Sequence, residues 1–349
     1  MEVRQGVPLA PLTTLRLGGP ASRLVEADSA EAIVAAVRAA DDAGEPVLLL
    51  GGGSNLVLAD AGWPGTAVLL RSRGVAVVED GDVRSVTVQA GEPWDDLVAR
   101  AVAEGWAGLE CLAGIPGLTG ATPVQNVGAY GQEVADTLTG VRAYDRERRE
   151  VRELPAAECG FGYRTSVFKH SDRYVVLAVT FGLRASDKCG PVRYAELAGA
   201  LGVEVGGVAP LAEVRDAVLA LRRRKGMVVD PADPDTWSVG SFFTNPVLDP
   251  AGLAGFEARL EPGTRYPSWP ADDGGRKLSA AWLIERSGFS RGHGREAVRV
   301  SGKHTLALTH RGGGSTAELV ALAREVRDGV RDRFGVTLRA EPRLVGIEL

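Results

Sequence analysis

The stretch Val47-Leu48-Leu49-Leu50-Gly51-Gly52-Gly53-Ser54-Asn55-Leu56-Val57-Leu58 decides how this chain is read. Two short apolar runs flank three consecutive glycines, and apolar runs of that length bounded by turn residues read as buried strands. Residues without a Cβ let several backbone N–H groups approach one oxyanion, so Gly51, Gly52, Gly53, Ser54 and Asn55 fit a phosphate cradle. A tight turn without a ligand fits them equally well at this level. The Lys-Ser/Thr pair of a P-loop and the spacing of GxGxxG are both missing, so neither an ATPase nor a standard dinucleotide turn is supported.

A second loop carries the same signal more densely. Gly114, Gly117, Gly120, Gly128 and Gly131, with Pro116 and Pro123, crowd one segment, GIPGLTGATPVQNVGAYG at 114–131, too closely for an ordinary connection. It reads as backbone wrapped around a flat or phosphorylated ligand, with Thr122, Gln125 and Asn126 offering hydroxyl and amide contacts. A long ordered loop without ligand is the alternative. The third run, Gly312-Gly313-Gly314, is a loop leading to a helix, because Ser315 and Glu318 form a capping box.

Outward from these loops, Ile33, Val34 and Val37 predict a helix over 28–42, opened by a capping box of Asp28 and Glu31 and closed by Gly44. With the strands at 47–50 and 56–58 it makes a first compact unit ending near 65–68. Short strands follow at 75–79 and 83–89, joined through Asp80-Gly81-Asp82 as a hairpin. A helix at 94–104 and strands at 141–145 and 174–183 complete an α+β unit with a largely antiparallel sheet. An amphipathic helix at 210–225 has Pro210 at its first position and Leu211, Val214, Val218 and Leu221 on one stripe. Beyond it we expect a helix at 278–286, strands at 297–300 and 305–308, a long helix at 315–334, and a tail at 336–349 that returns as one or two strands.

Composition narrows the function. At 349 residues the chain is long enough for two or three packed units. With 45% hydrophobic and 24% charged residues and a mean hydropathy of −0.01, neither a disordered chain nor a membrane protein is favoured. The net charge of −5 is spread out, and only Arg222, Arg223, Arg224 and Lys225 cluster, so no nucleic-acid footprint is present. We read the three arginines as a solvated helix end that complements the dipole. Cys111, Cys159 and Cys189 form no disulfide framework and no zinc spacing, which points to a reduced, metal-free protein. No signal sequence and no run of about 18 apolar residues is apparent, so a cytoplasmic location and no membrane insertion are expected.

Nine segments together resemble the UDP-N-acetylenolpyruvoylglucosamine reductase family of flavoenzymes: TTLRLGG at 13–19, LGGGSN at 50–55, GLECLAGIPG at 108–117, ATPVQNVGAYG at 121–131, FGYRTSVFKH at 161–170, VRYAEL at 192–197, GSFFTNP at 240–246, KLSAAWLIE at 277–285 and AEPRLVG at 340–346. The resemblance implies an α+β protein with a two-part FAD-binding fold similar to the vanillyl-alcohol oxidase (PCMH-type) enzymes, plus a C-terminal α+β substrate-binding domain. In that scheme 1–67 and 68–225 are the two flavin-binding parts, 226–335 binds substrate, and 336–349 returns to the first part. It further implies FAD as cofactor, NADPH as hydride donor, UDP-N-acetylglucosamine enolpyruvate as acceptor, and a monomer.

Carried onto this sequence, the resemblance places FAD against Gly51, Gly52, Gly53, Ser54, Asn55, Gly114, Ile115, Pro116, Gly117, Thr122, Asn126, Gly128, Ala129 and Tyr130. Tyr194 stands where the longer type of the family carries a tyrosine that closes over substrate. Tyr163, Lys225, Asn245 and Lys277 complete the expected substrate contacts. Hydride passes from flavin N5 to the enolpyruvyl methylene, and the resulting enolate needs a cation at its carboxylate and a proton donor at its other carbon. Arg164 matches the carboxylate-binding arginine, Ser241 the proton donor, and Glu341 a late glutamate that helps an enolate only when protonated, so a raised pKa is expected. The four histidines are read as non-catalytic. Two rival readings are a flavin-dependent alcohol oxidase of the same cofactor fold and a non-catalytic UDP-sugar or flavin-binding protein.

Overall fold

The structure is a computed structural model that describes residues 2–271 and 274–349. The chain forms two compact units, each assembled from three separate segments. Unit 1 takes the chain up to Val7, Ala21–Gly52 and Pro64–Val228, and unit 2 takes Pro8–Pro20, Gly53–Trp63 and Val229–Leu349. Residues 8–20 and 53–63, expected inside the first flavin-binding part, therefore pack with the C-terminal unit.

Unit 1 contains two sheets. The first has four strands in the order Val3–Pro8, Pro20–Ala27, Trp63–Leu70, Val47–Leu50, the last two parallel with Val47 opposite Thr66. The helix Ala30–Asp42 buries Ile33 and Val37 in the same apolar cluster as Val47 and Val68. Its N-cap is Ser29, whose side chain accepts from Ala32 N, and not the expected Asp28–Glu31 box. The hydroxyl sits one residue nearer the orphan amides of the first turn.

The second sheet has six strands, and all its pairings are antiparallel, as the alternating pattern predicts. Its centre is the strand Tyr174–Ala185, bracketed by Leu138–Asp145 and Val83–Gln89. Gly81 at φ +55 turns the hairpin between Val75–Asp80 and Val83–Gln89. The helix Trp94–Ala103 covers this sheet through Trp94, whose ring lies 5.9 Å from Phe181 and whose Nε1 donates to Leu112 O. The helix Leu211–Arg224 buries the expected stripe, Leu211, Val214, Val218 and Leu221. Pro210 is its N-cap, with ψ 141, so it stands one position before the first helical turn.

Unit 2 is built around the helix Thr316–Phe334, opened by the expected capping box of Ser315 and Glu318 and closed by Gly335 at φ +71. Leu319, Ala323, Val326 and Val330 recur at helical spacing and face Leu283, Ile284 and Phe256 in one cluster. The strands Val298–Val300 and Leu308–His310 pair beside it. The second of these begins later than expected, because Ala307 N bonds His304 O and bends 304–307 into a turn.

The glycine run does not join two strands of one sheet. Leu50 ends a strand of unit 1, whereas Leu56–Leu58 pairs in parallel with the tail strand Arg343–Val345 in unit 2, Arg343 opposite Leu56. The apolar pattern gave both strands correctly, but a local reading cannot say that the second finds its partner near the far end of the chain.

Candidate active site

Packing of unit 1 brings the two glycine loops together. A Cβ on Gly52 would lie 2.8 Å from Gly117 Cα, and Gly51 lies against Leu118, so the backbones meet where a side chain would hold them apart. Among the described residues, the amides of Gly52, Ile115, Gly117 and Leu118 donate no hydrogen bond, although Leu118 is buried. Buried amides without acceptors are rare, and several in adjacent turns make an anion-binding concavity. That combination fits a diphosphate-bearing cofactor such as FAD.

The rest of the 114–131 loop is held by its own side chains. Thr122 is buried and its hydroxyl donates to Thr119 O. Asn126, in the left-handed region at φ 45, donates from Nδ2 to Glu133 Oε2 at 2.8 Å and to Gly162 O, and accepts from Ala135 N. Both of its amide ends are engaged, by Glu133, Gly162 and Ala135, and these bonds fix the shape of the backbone. Gly128 is required for space, since a Cβ there would meet Glu133 Cγ at 2.8 Å and Arg164 Nη1 at 3.0 Å. Ala129 pairs with Gln132 in a two-residue ladder that turns through Tyr130 and Gly131.

Arg164 faces this loop. Its guanidinium donates to Gly128 O at 2.7 Å, stands 3.7 Å from the Glu133 carboxylate and lies over the half-exposed Tyr163 ring at 5.4 Å. Its backbone is left-handed at φ 55, within the tight Gly162–Thr165 bridge. Such strain in a non-glycine residue persists only where surrounding contacts impose it, and it clusters at functional sites.

Tyr130, Tyr194 and Lys225 also come together in unit 1. The two rings meet edge to face at 5.5 Å, and Lys225 Nζ sits 5.8 Å from the Tyr130 ring while pairing with Glu196 at 2.5 Å. Burial pushes the Tyr130 hydroxyl up to about 12, which keeps it protonated as a donor, while Tyr194 is 46% exposed. Arg222, read from sequence as part of a solvated helix end, is instead drawn inward. It donates to Met227 O, its Nε is buried with no partner among the described residues, and burial pulls it down to about 10. It lies against Gly114, where a Cβ would be 3.5 Å from its Nε. A run of like charges gave no sign of this.

Unit 2 assembles the other residues. Gly53, at φ +60, packs so tightly that a Cβ would stand 2.1 Å from Leu12 O. Asn55 O accepts from Arg343 N, which anchors the tail beside the loop. Two residues earlier in that tail, Glu341 N donates to Phe242 O at 2.9 Å, and Phe243 bridges Ala340. Ser241 and Glu341 are thus brought together by a short antiparallel contact across a hundred residues of sequence. The half-buried Ser241 hydroxyl makes no hydrogen bond among the described residues. Asn245 Oδ1 accepts from Ala280 N at the start of the helix Ala280–Arg286, and Lys277 lies in the strand Arg276–Leu278, opposite Val247.

Comparison with known proteins decides the family. Residues 231–345 match the UDP-N-acetylenolpyruvoylglucosamine reductase C-terminal domain, and residues 21–153 match an FAD binding domain. The chain is 61% identical over 345 residues to UDP-N-acetylenolpyruvoylglucosamine reductase of Salinispora arenicola, covering 98% of this chain and 95% of that protein. The chain belongs to the UDP-N-acetylenolpyruvoylglucosamine reductase family. The reductase of Thermobifida fusca is 55% identical over 350 residues, with 99% and 98% coverage. The fold is shared with the crystal structure of UDP-N-acetylenolpyruvylglucosamine reductase from Thermus caldophilus, at 24% identity, a TM-score of 0.66, and 99% and 98% coverage. The reductase is therefore an FAD-dependent enzyme of peptidoglycan precursor synthesis, with a PCMH-type flavin-binding region followed by the family's C-terminal domain. Among the described residues no helix is long and apolar enough to cross a membrane, and no cluster of His, Cys, Asp or Glu has the makings of a metal site.

Proposed function

We propose that this chain reduces UDP-N-acetylglucosamine enolpyruvate to UDP-N-acetylmuramate at the expense of NADPH, with Ser241 as proton donor, Arg164 at the substrate carboxylate and Glu341 beside the developing charge. The observation that carries the reading is the Ser241 hydroxyl, which makes no hydrogen bond among the described residues, on a backbone turn that Glu341 N holds through Phe242 O.

FAD, when bound, supplies the hydride that NADPH delivers. The methylene carbon of the enol ether accepts it and becomes a methyl group, which leaves an electron pair on the neighbouring carbon, delocalised into the carboxylate. A planar guanidinium suits that carboxylate because two parallel N–H bonds strengthen as charge accumulates, and Arg164 is the group that would supply them. The enolate lies uphill, so hydride transfer reverses unless a proton arrives. Ser241 gives its hydroxyl proton to the carbon and recovers one from water. That carbon becomes the stereocentre of the lactyl group, so the face from which Ser241 delivers the proton sets its configuration. Glu341 in its protonated form donates to the enolate, whereas a carboxylate would oppose it. Tyr194 and Lys225 cover and neutralise the diphosphate, and Asn245, Lys277 and Tyr163 contact the remaining polar groups. The enzyme acts as a monomer.

An anaerobic absorbance trace of the purified protein tests this. The oxidised flavin band should bleach with NADPH and return only with the enol ether. If a simple alcohol bleaches the band and the enol ether fails to restore it, the enzyme is an alcohol oxidase of the same cofactor fold; a folded protein that binds flavin and turns over neither would be a binding protein.

A further inference from the structure

We infer that Thr14 is a positioning residue that fixes the Ser241 turn relative to the glycine loop, and that it does so chiefly through the hydrogen bond from its hydroxyl to Ser238 O. This rests on the assignment of Ser241 as proton donor. Thr14 lies in unit 2 with Gly53 and with the segment that leads into Ser241. Its amide donates to Gly53 O at 3.2 Å, and its hydroxyl donates to Ser238 O at 2.6 Å with Gly53 O as a second, longer acceptor at 3.4 Å. Ser238 is buried, and its own hydroxyl accepts from Gly240 N, the residue before Ser241. A single residue therefore bonds the carbonyl of the cofactor turn with its backbone and the base of the proton-donor turn with its side chain.

The neighbours of Thr14 reinforce the same junction. Leu15 O accepts from His310 Nδ1, and His310 N in turn donates to Trp237 O, one residue before Ser238. Arg16 sits with its guanidinium 3.6 Å over the Trp237 ring, on a left-handed backbone at φ 54. Strain of that kind in a non-glycine residue needs a compensating contact, and the stacked indole provides one. Gly240, at φ 74, has open space around its Cβ position, so the Ser241 turn is not wedged in place by packing at that point. Hydrogen bonds at 238 and 240 hold it instead.

The consequence is a separation of roles that packing alone would not give. Thr14→Val keeps the shape of the side chain and the 3.2 Å amide bond to Gly53, but removes the 2.6 Å bond to Ser238 together with the hydroxyl's longer 3.4 Å contact to Gly53 O. Flavin retention and reduction by NADPH should stay within about twofold of wild type. Reoxidation by the enol ether should slow by about ten- to a hundredfold, the scale expected when a reacting group is displaced by part of an ångström. The second lactyl epimer should appear in the product, since the proton no longer arrives from one face. Thr14→Ser restores the hydroxyl and should restore both rate and configuration.

Stopped-flow absorbance for each half-reaction, flavin content, and chromatographic resolution of the lactyl epimers together decide the matter. Equal half-reaction rates and a single epimer in Thr14→Val would overturn the inference, and so would a parallel loss of flavin and of both rates, which would make Thr14 a cofactor-loop residue only. Should Thr14→Val fail to fold, Arg16→Met serves in its place. Removing the cation over Trp237 should give the same split between half-reactions at smaller size, and no split refutes the proposal. If wild type itself is not reoxidised by the enol ether, the failure lies with the assigned reaction and not with Thr14.

Discussion

The wall at 114–131 and the turn at 240–245 both begin at a glycine, both carry polar residues, and use them in opposite ways. In the wall, Thr122 and Asn126 bond their own loop, while the amides of Ile115, Gly117 and Leu118 are left without acceptors among the described residues. In the turn the backbone is bonded on both sides, to Leu306 O from Phe242 N and to Phe242 O from Glu341 N, while the Ser241 hydroxyl is left free among the described residues. A cofactor that stays bound can be held by fixed amides, whose dipoles need no reorganisation. A proton donor must move its hydrogen, so its side chain has to be available while its backbone is not.

Ser241→Ala is the most severe way to test this contrast. Loss of a positioned general acid costs about 10²- to 10⁴-fold. The loss should fall on reoxidation by the enol ether, with bleaching by NADPH unchanged in stopped-flow traces. A matching loss in the NADPH step would mean that Ser241 belongs to the cofactor site and that the two regions are not functionally distinct.

Gly52→Ala attacks the wall from the backbone. The new Cβ would meet Gly117 Cα at 2.8 Å, and backbone cannot yield as a side-chain tip would. Overpacking of about 1–3 kcal/mol corresponds to roughly a five- to hundredfold weaker grip on flavin, read from the flavin-to-protein absorbance ratio after dialysis. Full flavin retention would show that the meeting of the two loops is incidental.

Asn126→Ala separates a brace from a ligand. A side chain that only bonds flavin would lower the melting temperature of the flavin-bound protein alone. One that braces the loop through Glu133, Gly162 and Ala135 should cost about 1–3 kcal/mol in the flavin-free protein as well. Thermal unfolding with and without flavin distinguishes them.

How much of this was legible beforehand follows from the range of each interaction. The glycine loops, the antiparallel sheet, the Ser315 capping box and the stripe on the helix Leu211–Arg224 are set by neighbours within a few residues, and periodicity finds them. The pairing of Leu56–Leu58 with Arg343–Val345, and of Phe243 with Ala340, depends on segments far apart in sequence, which no local pattern encodes. Among site residues, Ser241, Arg164 and Glu341 were reached only through the family resemblance, because an isolated serine in a turn or arginine in a loop has no chemical signature. The side chains of Thr122 and Asn126 were read as facing a ligand. Residue type gives hydrogen-bonding capacity but not direction, and the loop itself absorbs it. Arg222 was hidden by the charged residues beside it.

The smallest effect comes from His310, which belongs to the frame of the turn rather than to its chemistry. Its Nδ1 donates to Leu15 O and its Nε2 accepts from Gly314 N, and the second of these bonds requires the neutral ring. Burial pushes its pKa below 6.5, outweighing the bond to Leu15 O, which favours the charged ring; the Arg16 guanidinium adds to the lowering and Glu318 opposes it. Between that lowered value and about 6.5 the unfolded chain binds a proton that the folded chain refuses, so stability rises with pH through the window and is lost as pH falls. In His310→Gln the slope of unfolding free energy against pH below about 6.5 should flatten, as read from denaturant unfolding at a series of pH values. If the wild-type slope persists without His310, the neutral ring that accepts from Gly314 N is not the source of the effect, and the frame of the turn must draw its acid sensitivity from the carboxylates instead.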